Sequence, residues 1–245
     1  MVPVLLLSSL FAAAPTSPAA ARDFTPGLRD LIGIGYVNDA ALDETGRWTF
    51  FEHPEKTADA PGLNCSGFVL AAAQRLLGCK LTLAQATHDR LGDSGDESPL
   101  GKDWDFGFDL VLNLSEGLAR RAVLPDGTEE IAGQDGRALR GFAIDDEKAW
   151  GKVLPRLKPG FVYLASMSRV RKHLEHHHVT VLLKDAQGRA WFYQTLPKGH
   201  GHRLDLSSPA GYTRMQSMFG PGIRILIVEV EPPAAVSLAP AASRR

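Results

Sequence analysis

Four short apolar runs near the C-terminal end constrain the fold most. Phe161–Ala165, Val179–Leu183, Ala190–Thr195 and Arg224–Val230 are five to seven residues long, a length that suits strands and is too short for stable helices. Lys184-Asp185-Ala186-Gln187-Gly188-Arg189, between the second and third runs, has the composition of a hairpin turn. A small antiparallel sheet is therefore expected. Val179, Val181 and Leu183 alternate only imperfectly with His178, Thr180 and Leu182, so both faces of that strand should be partly buried. Helical spacing occurs upstream. Phe68, Val69, Ala72, Leu76 and Leu77 repeat at helical intervals after Cys65, and Gly78 supplies a stop. Asp109–Ala122 and Glu147–Leu154 are further helix candidates, and one or two helices should precede Cys65. The expected class is α+β, with the Cys65 helix packed on the sheet.

Size and charge narrow the partners. A chain of 245 residues that is 44% hydrophobic can build one substantial domain. Its 27 basic and 28 acidic side chains leave a net charge of −1, with no excess to hold a phosphate backbone or an anionic membrane. Nucleic acid is excluded as a first expectation. Val2–Ala14 is a short apolar run, followed by Ala19-Ala20-Ala21 and the charged pair Arg22-Asp23. Residues 1–21 thus read as a signal peptide, although the segment ahead of the run lacks Lys and Arg; a misplaced start codon is the alternative. The run is too short to span a bilayer, so no stable membrane anchor is expected, and the location is periplasmic or secreted. Residues 22–230 form the expected domain, and the Pro/Ala/Ser-rich segment 231–245 a disordered tail.

Two cysteines in an exported chain suggest a disulfide, but Cys65 starts a helix and Cys79 follows its end. Twelve or more residues of helix place them roughly 20 Å apart, well beyond bridging distance. A cysteine in the first turn of a helix faces free backbone N–H groups and the positive end of the dipole, which favour thiolate. The N–H groups of Cys65 and Ser66 could also hold an oxyanion, and Gly67 admits a close backbone or substrate. The competing reading is a buried small apolar residue. A base decides between them. Of eight histidines, His53 and His88 lie in polar surroundings. His173, His176, His177 and His178 cluster ahead of the Val179 strand, and His200 and His202 lie in a Gly-rich turn. His178 heads one hairpin strand and Gln194 ends the other, so they can meet across the ladder; Tyr193 or Thr195 could replace Gln194 if the register shifts.

These residues resemble the NlpC/P60 cysteine peptidases. Asn64-Cys65-Ser66-Gly67-Phe68-Val69 is similar to their Asp-Cys-Ser-Gly-Phe/Leu-Val motif, and Leu157-Lys158-Pro159-Gly160 to their Leu-Lys-Pro-Gly-Asp segment. His178-Val179-Thr180-Val181-Leu182-Leu183 resembles their His-Val-Gly-Ile-Tyr-Leu strand, and Gly33-Ile34-Gly35-Tyr36 their upstream tyrosine element. The resemblance implies a papain-like fold, Cys65 as nucleophile, His178 as base and Gln194 as orienting residue. Tyr36, Ser66 and Trp104 are the candidate substrate contacts. It implies hydrolysis of an amide in peptidoglycan stem peptides, with no cofactor and no metal. The sequence departs from the pattern at Asn64 and Gly35, lacks the Trp-Gly-Gly, and spaces Cys65 from His178 about twice as far.

The excess lies in an insertion at about 80–150. Its acidic, aromatic stretches Asp89–Glu97 and Asp103–Asp109 could wall the cleft or form a solvated loop; a calcium site is a further reading, although the spacing does not match an EF-hand loop. Two other functions are weighed. One is a metal-dependent hydrolase built on the His173–His178 cluster, perhaps with His200 or His202; His173 and His177 have the i, i+4 spacing of one helical face. The other is a catalytically inactive envelope binding module. Acyl transfer is a variant of the first reading. Oligomeric state is not legible.

Overall fold

The computed structural model describes residues 22–131 and 133–234. The expected signal segment, 1–21, lies outside the described residues, as does 235–245 of the expected tail. A 3₁₀ turn at Thr25–Leu31 leads to a two-stranded ribbon of β1 (Ala40–Leu42) and β2 (Trp48–Phe50), where the sequence suggested one or two helices. The chain then becomes extended at Asn64, whose side chain accepts the Gly67 N–H at 2.7 Å. Asn caps a helix as well as the Asp of the family motif does, which accounts physically for that departure. The capped helix is α1 (Cys65–Leu76), and it ends where Gly78 takes φ +69°.

Gly67 has a specific reason to lack a side chain. A Cβ there would sit 2.2 Å from the Ala40 carbonyl oxygen, so the close neighbour is the β1 backbone. Gly67→Ala should therefore cost roughly 1–3 kcal/mol of stability through forced separation of α1 from β1. Thermal melts of both proteins test this, and an unchanged midpoint would contradict it.

The segment after α1 adds α2 (Leu83–Ala86), α3 (Phe106–Leu114), β3 (Arg120–Leu124), β4 (Gly127–Glu129), β5 (Phe142–Ala143) and α4 (Glu147–Val153). The helix expected over 109–122 starts three residues earlier and stops at Leu114. There the Ser115 hydroxyl bonds back to the Val111 carbonyl at 2.8 Å, and Gly117 reverses the chain at φ +73°. Arg120–Leu124 is thus strand, held to the far side of the sheet in part by Arg121 Nε donating to Glu229 Oε1 at 2.8 Å.

The remaining elements are β6 (Val162–Val170), β7 (Leu174–Lys184), β8 (Ala190–Gln194), β9 (His202–Asp205), α5 (Pro209–Phe219) and β10 (Ile223–Val230). The sheet has eight antiparallel strands in the order β4-β3-β10-β6-β7-β8-β9, with β5 also on β10. It is larger than the small sheet expected, because the segment between α1 and α4 contributes β3, β4 and β5. Alternate residues feed two cores. Leu164, Val179, Val181 and Val228 pack with α1 and α3, while Tyr163, Ala165, Leu182 and Ile227 pack with α4 and α5. Helices on both faces explain the imperfect alternation of β7: neither face meets solvent. Among the described residues no helix is long and apolar enough to cross a membrane.

Candidate active site

Cys65 is partly exposed at the first turn of α1, unpaired with the equally free Cys79. The cap uses the Gly67 N–H, and the Phe68 N–H enters the helix by bonding the Asn64 carbonyl at 2.9 Å. The sulfur has the Ser66 hydroxyl at 3.9 Å, and the backbone N–H groups of Val179 on β7, of Ser66 and of Cys65 itself favour its ionised form. Helix and strand therefore meet at the thiol.

A β-bulge shapes the other side. On β6, Met167 pairs with His178 and the next residue, Ser168, pairs with His176, leaving His177 as the extra residue. A bulge twists the strand and re-aims its side chains, and His177 and His178 both line one cleft with Cys65 and Tyr36. His176 turns into the core instead. One ring nitrogen of His176 lies 3.0 Å from Ser166 Oγ and the other 2.9 Å from the Gly136 carbonyl. His173 sits ahead of β7, near the β6–β7 turn, and His53 pairs with Glu55 at 3.5 Å.

His178 Nε2 lies 3.0 Å from Gln194 Oε1. An amide oxygen only accepts, so Nε2 carries the proton and Nδ1 is left bare as a base. Gln194 is held in that orientation in turn. Its Nε2 donates to Met218 Sδ at 3.6 Å and to His202 Nε2 at 3.4 Å, while His202 Nδ1 donates to the His200 carbonyl at 2.9 Å. Register explains the meeting: β7 and β8 pair Val181 with Tyr193, which carries Gln194 to a position diagonal to His178. Gln194→Ala should slow turnover roughly 3- to 10-fold, the worth of one neutral hydrogen bond. Steady-state rates check this; a loss as large as that for His178 would show that the amide does more than orient.

Electrostatics corrects one expectation. The helix N-terminus suggested a thiolate, yet burial pushes the Cys65 thiol up despite the hydrogen bonds from Val179 and Ser66. Burial also pushes His178 down to about 4, against the opposing bond to Gln194. The resting pair is thus neutral thiol and neutral imidazole. Burial raises Tyr36 as well, and Cys65, once ionised, raises it further.

His176 is likewise pushed down to about 4, mainly by burial. Its folded value lies below the unfolded value near 6.5. Its contribution to stability is complete above that value and is lost as pH falls towards about 4, because the unfolded chain takes a proton that the folded chain refuses. Over this window wild-type stability should fall more steeply than that of His176→Gln, by about 1.4 kcal/mol per pH unit. Urea melts at several pH values check this, and parallel slopes would contradict it.

Of the proposed substrate contacts, one is buried beside the thiol and another lies elsewhere. The Ser66 side chain is buried under α1, with its Oγ 3.9 Å from the sulfur, so only its N–H remains a candidate donor to substrate. Trp104 is 1% exposed and packs against His176 at 6.2 Å, behind β7, because its indole N–H reaches the Asp93 carbonyl at 3.2 Å. The histidine metal reading also loses its geometry. His177 and His178 lie on a strand rather than a helix, and among the described residues no histidine joins a metal-ligating trio.

The cleft holds about 290 Å³. Sequence reasoning missed Thr195, Met218 and Phe219 as its walls, along with Arg169, whose Nε and Nη2 both reach Glu175 Oε2, at 2.9 and 2.8 Å. Phe219 ends α5 and lies 5.3 Å from the His178 ring, a contact with no local signature. Thr195 and His202 had signals, the first adjoining Gln194 and the second within the Gly-rich turn.

No family model matches the chain, and no curated protein matches it. One solved structure is similar, the crystal structure of protein LPG0564 from Legionella pneumophila str. Philadelphia 1, described by the family model DUF1460. It is 13% identical over 88% of this chain and 90% of that one, with a TM-score of 0.45. A likeness of that degree carries no argument about the site.

Proposed function

We propose that the protein is an exported cysteine hydrolase of the NlpC/P60-like, papain-fold kind that cleaves an amide bond in peptidoglycan stem peptides. The observation that carries this reading is the 3.0 Å bond from His178 Nε2 to Gln194 Oε1 within the cleft that also exposes Cys65. It sets the imidazole tautomer needed to accept a thiol proton.

The chemistry follows from these groups. As Cys65 sulfur bonds to the substrate carbonyl carbon, its proton passes to His178 Nδ1. The N–H groups of Cys65 and Ser66 hold the oxygen that becomes negative. The protonated imidazole then gives its proton to the departing amine, leaving a thioester. Water attacks the thioester as His178 takes its proton, and the thiolate leaves to recover that proton. Because both groups rest neutral, proton transfer accompanies attack instead of preceding it. Tyr36 and Thr195 line the walls that receive the peptide. His177 Nδ1 and Thr195 Oγ1 are buried without partners, as suits a cleft that pairs with substrate amides.

Purified peptidoglycan and its soluble fragments, incubated with the protein and analysed by mass spectrometry, test the reading. Fragment pairs should appear whose masses sum to the parent plus one water. Products carrying an added amine instead would assign acyl transfer, and an unchanged fragment pattern would contradict the proposed substrate.

A further inference from the structure

Outside the cleft, the insertion gathers three carboxylates. Asp89, Asp93 and Asp105 each bring one oxygen to within 4.8 Å of the others. Such a group alone is unremarkable on a protein surface; here Asp89 and Asp93 are half-buried and the third carboxylate is fully buried. Asp105 is 1% exposed, and its Oδ2 is buried without a hydrogen-bond partner. Asp93 Oδ1 is buried and unpartnered as well. Buried carboxylate oxygens without partners are strongly disfavoured.

The positive charge available is insufficient. Arg137 approaches Asp93 Oδ2 at 3.4 Å, while Ser94 Oγ gives Asp105 Oδ1 only a neutral donor. We infer that Asp89, Asp93 and Asp105 form a calcium site, with Asp105 Oδ2 and Asp93 Oδ1 as the oxygens awaiting the ion. The donor set is all oxygen, without His or Cys, which selects a hard cation over zinc. Irregular loops supply these carboxylates, a setting that suits the flexible coordination of calcium better than the strict octahedron of magnesium.

The site has a mechanical consequence. The Trp104 carbonyl accepts the His176 N–H at 2.6 Å, and the Trp104 indole bonds the Asp93 carbonyl. An ion clamping Asp89, Asp93 and Asp105 therefore braces the segment that backs β7. The sequence admits calcium in this stretch without an EF-hand spacing, because the third carboxylate comes from beyond the loop that holds the other two.

The full chain, stripped with EDTA and exchanged into chelator-free buffer, should bind one Ca²⁺ by titration calorimetry. Its melting temperature should rise by about 5–10 °C at saturation. Asp93→Asn and Asp105→Asn should each weaken binding at least about tenfold. Without the ion, Asp105→Asn should melt no lower than the stripped wild type, since it removes a repelled charge; a merely structural carboxylate would give the opposite. If Asp105→Asn does not fold, Asp93→Asn carries the same binding test. No heat and no melting shift in about 10 mM CaCl₂, above the range of weak extracellular sites, would overturn the site. So would variants that bind as tightly as wild type. A response to MgCl₂ but not CaCl₂ would overturn the assignment to calcium.

Discussion

Cys65→Ala should lower amide cleavage by roughly 10⁴–10⁶, the range seen when the nucleophile of a catalytic unit is removed, while leaving the fold in place. The side chain contributes its sulfur and little else. The Asn64 cap acts on Gly67, and the fully buried residues of α1 begin after Cys65, which only partly packs on the core. Cys79→Ala should keep full activity, because Cys79 lies past the other end of the helix. Cleavage assays with melting curves on both variants separate loss of chemistry from loss of folding. Normal turnover by Cys65→Ala would remove the nucleophile assignment.

His178→Ala should cost roughly 10²–10⁴ in rate, the usual worth of a general base. His177→Ala, although it also lines the cleft, should cost far less, because only His178 is oriented by Gln194. His176→Ala should act on stability, since that ring lies in the core between Ser166 and Gly136. A pH profile sharpens the test. With His178 held at about 4 by burial, the acid limb of kcat/KM should fall well below the ordinary histidine value near 6.5. An acid limb near 6.5, or a larger loss for His177→Ala, would move the base to another ring.

The sequence reading succeeded where local physics sets the outcome. An apolar helical stripe and a C-terminal Gly define α1 within a residue, which places Cys65 at its first turn. A polar turn between β-rich runs defines the β7–β8 hairpin, and its register carries His178 to Gln194. Contacts that depend on distant segments were not legible. Arg120–Leu124 reads as a helix extension until β10 offers an edge with Glu229 for Arg121. Trp104 looks like a cleft residue until His176 and the Asp93 carbonyl claim it. The thiol's protonation was misjudged for a related reason. A helix terminus is visible in sequence, whereas desolvation is a property of the packed site, and here desolvation is the larger influence.

The central claim is that the Cys65 thiol performs the chemistry. In a Cys79→Ala background, which leaves Cys65 as the one cysteine of the chain, partial labelling with iodoacetamide can be mapped by mass spectrometry and compared with remaining cleavage activity. Activity should fall in proportion to carboxamidomethylation of Cys65 and vanish at full labelling. Cleavage that continues with Cys65 fully alkylated would contradict the account.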